Sequence, residues 1–313
     1  MTAVAAASTP DEAGPHWASR SAFSFIAVAH YFCQMAILVS LYYERYWLVV
    51  PLALVCSHFM HGLLIGFHEA SHGCLKKNRR FNEIEGLVIG TMSFMSFTLY
   101  RVAHQTHHAH LGTERDEELW PFVDPGAPRW ARVLAAGFEL GLGVLFTPFL
   151  FFRAFVRKGS MLRSPRIRKR VWKEFAAIAI FWTLALAAVA YFDAWRYFLW
   201  MFVVPAFVAG NLQSWRKYIE HVGLTGSTIR SGTRSIVADG WVGRLVSFTL
   251  LHEPYHGVHH LHVGLPHAEL PGKAGSLAPE RPDEIAPFPS YRHALLHLLK
   301  CLRDPKVGAQ WHT

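Results

Sequence analysis

Four stretches without a single Asp, Glu, Lys or Arg, residues 21–43, 46–67, 175–192 and 197–215, constrain this chain more than any other feature. Each is close to the roughly 17–25 apolar residues that a helix needs to cross a bilayer. Only 17% of the 313 residues are charged, against about 25% in an ordinary soluble domain. A soluble globule is therefore excluded, and the class is all-α integral membrane protein. Cys33, Cys56, Cys74 and Cys301 lie far apart, two of them within apolar stretches, so they read as thiols rather than as the framework of a secreted scaffold.

Charge sets the topology. The net charge is +9, and residues 153–173 carry nine basic side chains and no acidic one. None of the nucleic-acid-binding motifs accompanies this run, so the positive-inside rule accounts for it and no nucleic-acid partner is expected. Two further apolar stretches, 86–100 and 133–152, are read as re-entrant or interfacial. A single crossing by the second, which carries Glu139, three glycines and Pro148, would export the basic run. Four transmembrane helices then form two hairpins, with both termini and residues 69–174 on the cytoplasmic side beneath a cytoplasmic helical cap. Residues 1–313 read as a single domain with a polar N-terminal tail, 1–20, that lacks the pattern of a cleaved signal peptide. A C-terminal tail, 263–313, includes an ordered Pro-rich loop.

The histidines are not spread evenly. Residues 252–262 hold five of the chain's 20, and residues 104–110 hold four. Positions three and four apart share one helix face, so His68 with His72, His104 with His107 and His108, and His256 with His259 and His260 can each aim at a common point. Neutral imidazole is a ligand for iron, zinc, copper and nickel. Three such groups at the same ends of the spans imply a metal centre. His30, His58 and His61 fall inside spans and read as partners between helices. His110, His252 and His262 flank the groups, and His16, His267, His293, His297 and His312 read as surface residues.

His68-Glu-Ala-Ser-His72, His104-Gln-Thr-His107-His108 and His256-Gly-Val-His259-His260 resemble, in order and spacing, the three histidine boxes of the membrane fatty acid desaturases and the related hydroxylases and ketolases. The resemblance covers residues 21–262. It implies two irons held by these histidines, dioxygen activation with electrons from a separate carrier (ferredoxin, rubredoxin or cytochrome b5 type), and attack on a C–H bond of a lipid-like chain. It also implies a ninth ligand after the fourth span, where His221 is the candidate. The acyl-CoA desaturases have Asn four residues before that histidine, and this chain has Lys217. Asp116 and Glu118 resemble family acids that orient ligand imidazoles, and Glu69 and Glu220 are expected to act alongside them, since a ligating imidazole commonly donates its other N–H to a carboxylate.

One rival reading is a membrane zinc protease, because residues 68–72 and 252–256 both match HEXXH. Zinc hydrolysis uses three protein ligands and leaves most of the grouped histidines without a task. The reading carried forward is O2-dependent desaturation or hydroxylation of a fatty acyl or similar chain at a di-iron site. The site is expected on the cytoplasmic face, and the excess of 22 Arg over 9 Lys points to a bacterial inner membrane.

Overall fold

The computed structural model describes residues 21–312; His16 and the remainder of the polar segment 1–20 lie outside them. The described chain is helical, and its one β-like contact is an isolated parallel bridge between Ile236 and Phe288. In chain order the longer helices are α1 (Ala22–Tyr42), α2 (Tyr46–Ser71), α3 (Arg79–Met92), α4 (Phe97–Ala109), α5 (Arg129–Val156), α6 (Pro165–Tyr191) and α7 (Trp195–His221). A π-helical turn, Leu199–Val203, interrupts α7. The four charge-free stretches have become α1, α2, α6 and α7. Their outer faces expose Phe32, Trp47, Leu54, Ile180 and Leu184, an apolar surface suited to lipid rather than water.

By length and composition five helices could cross a membrane, α5 being the fifth, or six if the bent pair α3–α4 counts as one span. The charge-free stretches alone lead to an expectation of four. The stretch read as residues 133–152 is longer as a helix because its charges find distant partners. Arg132 pairs with Asp304, and Glu139 with Lys217. The stretch read as residues 86–100 is two helices joined at a 102° bend. Glu174 of α6 pins that bend, accepting bonds from the Ser96 hydroxyl at 2.6 Å and the Thr98 amide at 2.9 Å.

α5 is bent as well. Leu142 leaves the helical region (φ −133°, ψ 36°), and the freed Gly143 N–H donates to Asn211 Oδ1 of α7 at 2.7 Å. A side chain inserted into the helical ladder is an established cause of kinks. A Cβ at Gly143 would lie 2.0 Å from Ser214 Oγ, so the close approach of α5 to α7 requires glycine there. The two ends of α5 attach to one block, formed by the segment 117–123 and the C-terminal stretch that it joins. Near its start Arg132 donates to the Pro305 carbonyl at 2.9 Å, and at its end Arg153 lies 3.3 Å from Glu117. The segment after Glu117 joins the same C-terminal stretch, with the Val307 amide bonded to the Phe122 carbonyl at 3.0 Å.

The cap, residues 222–312, carries α8 (Trp241–Thr249), α9 (His256–Leu261) and α10 (Tyr291–Cys301). Buried Arg234 ties it to α7, donating to the Ile219 carbonyl and to His297 Nδ1, each at 2.9 Å. The cap thereby sets α9 against the ends of α2, α4 and α7.

Candidate metal centre

All nine histidines singled out from the sequence converge. His68 and His72 sit at the C-terminal turn of α2, and His104, His107 and His108 at that of α4. His221 ends α7, and His256, His259 and His260 lie on the short α9. The long helices α2, α4 and α7 thus present C-terminal ends, whose partial negative charge favours a cation. His68, His72, His104, His108 and His259 place ring nitrogens within 4.8 Å of one another, and His107, His221 and His260 do the same. His256 closes this second group, with Nε2 2.8 Å from that of His221 and 3.0 Å from that of His260. The groups adjoin, since the His108 and His260 rings are 4.2 Å apart between centroids.

The outer nitrogens determine what the inner ones can do. His104 Nδ1 donates to Glu118 at 2.8 Å, His107 Nδ1 to Asp116 at 2.9 Å, His256 Nδ1 to Glu253 at 3.0 Å and His221 Nδ1 to the Gly232 carbonyl at 3.2 Å. Each partner only accepts, so these Nδ1 atoms carry the proton and each Nε2 presents a lone pair. The His221 and His256 lone pairs face one another at 2.8 Å, an arrangement that two neutral imidazoles cannot satisfy and a cation between them can. Both ring nitrogens of His68 and Nε2 of His72 are buried without a hydrogen-bond partner. Burial pushes His72 down to about 4 and holds His256, His259 and His260 well below the usual imidazole range, helped by neighbouring histidines. These four imidazoles are thereby held neutral, the state that binds metal. The donor set, the facing lone pairs and the orphaned nitrogens all fit metal ions.

The expected carboxylates are present in unequal roles. Asp116 and Glu118 bond directly to imidazoles. Glu69 lies 3.5 Å from His68 Nδ1, and Glu220 lies 3.6 Å from His256 Nδ1 while accepting two bonds from Arg216 at 2.8 and 2.9 Å. Sequence reasoning missed two residues. Glu253, noticed only as part of HEXXH, holds His256 and comes within 3.4 Å of His68. Arg216, buried, bridges Glu220 and Glu253. The i, i+3 spacing of Glu253 and His256 and the i, i+4 spacing of Arg216 and Glu220 were the available signals. Lys217 pairs with buried Glu139 and lies 3.4 Å from the Glu118 carbonyl; Glu139 also accepts from the Tyr218 hydroxyl at 2.9 Å.

Other assignments divide. His58 bonds Thr249 at 2.8 Å, a contact between helices as expected, and His30 bonds Gln34 on its own helix at 3.3 Å. His293 and His312 are exposed, and His297 is half-buried on Arg234. His267 is not a surface residue: it is buried beside Glu69 and His252, because the Pro-rich segment folds over the site. The zinc-protease pattern gains no support, since His68 and His72 are joined by three histidines from other helices and Glu253 is occupied by His256 and Arg216.

An apolar cavity of about 560 Å³ adjoins the cluster, lined by Phe23, Leu63, Phe67, Tyr100, Val144 and Phe202 among others. Phe67 precedes His68, and the Tyr100 ring stacks on His104 at 5.3 Å. Val28, Val88 and Phe94 both line the cavity and are exposed on the apolar outer surface.

A helical membrane protein with a buried histidine and carboxylate metal cradle beside an apolar cavity is what the fold and site define. The sequence profile of the family described as fatty acid desaturase matches residues 45–292, and the chain belongs to that family. It is similar to a chloroplastic omega-3 fatty acid desaturase of Ricinus communis, with 23% identity over 83% of this chain and 60% of the relative. A fatty acid desaturase of Bacillus subtilis (strain 168) is 24% identical over 72% of this chain and 67% of the relative. An sn-1 acyl-lipid omega-3 desaturase (ferredoxin) of Synechocystis is 28% identical over 59% of this chain and 54% of the relative. The chain thus spans between about half and two thirds of the length of these relatives.

Proposed function

We propose that the protein is a membrane oxidoreductase that uses two irons and dioxygen to desaturate the acyl chain of a lipid. The observation that carries this reading is nine inward imidazoles, in two adjoining groups, beside an apolar cavity whose lining residues Phe67 and Tyr100 neighbour His68 and His104. The carboxyl groups of Glu69, Asp116, Glu118, Glu220 and Glu253 lie around the imidazoles with Arg216 among them, a surrounding that favours cations.

His68, His72, His104, His108 and His259 would hold one iron, and His107, His221, His256 and His260 the other. When bound, the irons supply dioxygen activation and the oxidising power to break an unactivated C–H bond. The protein supplies the rest. Asp116, Glu118 and Glu253 fix the tautomer and direction of their imidazoles, and Arg216 keeps Glu220 and Glu253 from repelling one another. Phe67 and Tyr100 keep the inner end of the cavity apolar and seat a methylene chain against the cluster. Desaturation and hydroxylation share the first hydrogen abstraction, and the names of the relatives favour desaturation. Electrons would come from a separate carrier; the name of the Synechocystis relative specifies ferredoxin for that protein.

For topology we propose four crossings, α1, α2, α6 and α7, with α5 and the α3–α4 pair lying at or re-entering one interface. The attachment of both ends of α5 to the block formed by the segment 117–123 and the C-terminal stretch supports this, and so does the basic run that follows α5. The cap and metal site then face the cytoplasm, of a bacterial inner membrane on the arginine excess. Lipid profiling of cells with and without the protein tests the activity. An acyl product lighter by two hydrogens is expected; a product heavier by one oxygen would make it a hydroxylase, and an unchanged profile would contradict the proposal.

A further inference from the structure

Room for a methylene chain does not account for everything that lines the cavity. Among the described residues around it, Lys76 and Glu85 are the two with charged side chains, and they face one another at 3.8 Å. Lys76 follows the first histidine group, and its Nζ lies 4.8 Å from the centre of the Phe23 ring, in the first turn of α1. Glu85 stands on α3. Their side chains are 31% and 37% exposed, so the pair sits where the cavity opens to the outside. Lys77, Arg79 and Arg80 come next in sequence but do not line the cavity.

The rest of the opening is apolar. Val88, one helical turn on from Glu85, and Val28 of α1 both line the cavity and are more than half exposed, as part of the outer surface suited to lipid. The cavity therefore joins a charged pair, an apolar opening and the Phe67 and Tyr100 rings beside His68 and His104. A phospholipid has the matching order, a charged headgroup followed by a methylene chain. The pair itself is loose. Its 3.8 Å separation exceeds hydrogen-bond reach, which leaves the Lys76 donors and the Glu85 acceptors open to a ligand. Glu83, two residues earlier, shows the contrast, since Arg101 and Arg170 occupy both of its oxygens. A lone anion drawn to Lys76 would meet Glu85 beside it. A headgroup with both a phosphate and an ammonium places the phosphate against Lys76 and the ammonium against Glu85, and leaves neither charge unanswered.

We propose that Lys76 and Glu85 form the headgroup site for the lipid substrate and select a zwitterionic phospholipid that carries a primary amine. The proposal rests on the reading of the protein given above, as an enzyme acting on the acyl chain of a lipid. Both residues hold the headgroup and set which lipid presents its chain to the cavity; neither touches the reacting carbons.

The test offers the iron-reconstituted full chain, kept without reductant so that no turnover occurs, an equal mixture of phosphatidylethanolamine and phosphatidylglycerol with identical palmitoyl and oleoyl chains. Retained lipid is read by native mass spectrometry, and free oleate is offered in a parallel sample. Wild type is expected to retain the ethanolamine lipid over the glycerol lipid by about three- to five-fold, the scale of a part-exposed charge contact. Glu85→Gln should bring that ratio to one or below, and Lys76→Gln should weaken retention of both lipids. A general folding defect lowers both alike and leaves the ratio unmoved. Equal or greater retention of phosphatidylglycerol or oleate by wild type would overturn the proposal, as would an unchanged ratio in Glu85→Gln. If the ratios behave as expected but no lipid is oxidised once reductant and dioxygen are supplied, the enzymatic reading falls while the headgroup site stands.

Discussion

Glu253 accepts a hydrogen bond from Nδ1 of His256 at 3.0 Å, and its second oxygen lies 3.4 Å from Nδ1 of His68. One carboxylate therefore holds an imidazole of the third histidine group and approaches one of the first, which is far away in sequence. Replacing it with Gln keeps the shape but removes the charge. Loss of such an orienting partner typically lowers metal affinity or activity about 10- to 100-fold, and Glu253→Gln should fall in that range by iron titration. Glu69→Gln should be milder, because Glu69 makes no closer contact with an imidazole of the cluster than the 3.5 Å approach to His68.

His221 supplies one inward nitrogen and no other structural bond beyond its tie to Gly232. His221→Ala should lower iron content and abolish turnover while the protein still inserts and folds. Glu220→Gln should cost less, since Arg216 retains Glu253. A His221→Ala protein with full iron and wild-type activity would remove this residue from the site.

The Lys217–Glu139 pair joins α7 to α5 inside the protein. Breaking one partner of a buried pair leaves the other uncompensated, at about 3–5 kcal/mol, whereas replacing both with apolar residues is often near neutral. Lys217→Met should therefore lower the melting temperature in detergent more than the double variant Lys217→Met, Glu139→Leu. A double variant at least as destabilised as Lys217→Met would show that the pair does not carry this coupling.

On the proposed topology, in which α5 returns to the side from which it starts, a reporter fused after Lys173 is cytoplasmic. Export of the reporter would make α5 a true crossing and raise the span count to five.

Eight of the nine clustered histidines were readable because they recur at three- and four-residue spacing, so local geometry already aims them together; His221 was reached only through the family resemblance. Asp116 and Glu118 were reached only through the family resemblance. Arg216 was missed because one of its two partners, Glu253, lies 37 residues away and meets it only after the cap folds back. His267 was misplaced for a related reason: nothing local in a Pro-rich segment tells which of its side chains will be covered. The length of α5 was hidden by Arg132 and Glu139, charges that look prohibitive in a span until Asp304 and Lys217 supply their partners.

The central claim is a two-metal centre held by nine histidines, and metal content tests it most directly. Elemental analysis of the purified, iron-reconstituted protein should give two irons per chain and no zinc, with iron falling in each of His72→Ala, His108→Ala and His260→Ala. One zinc per chain, or no tightly held metal, would contradict the account.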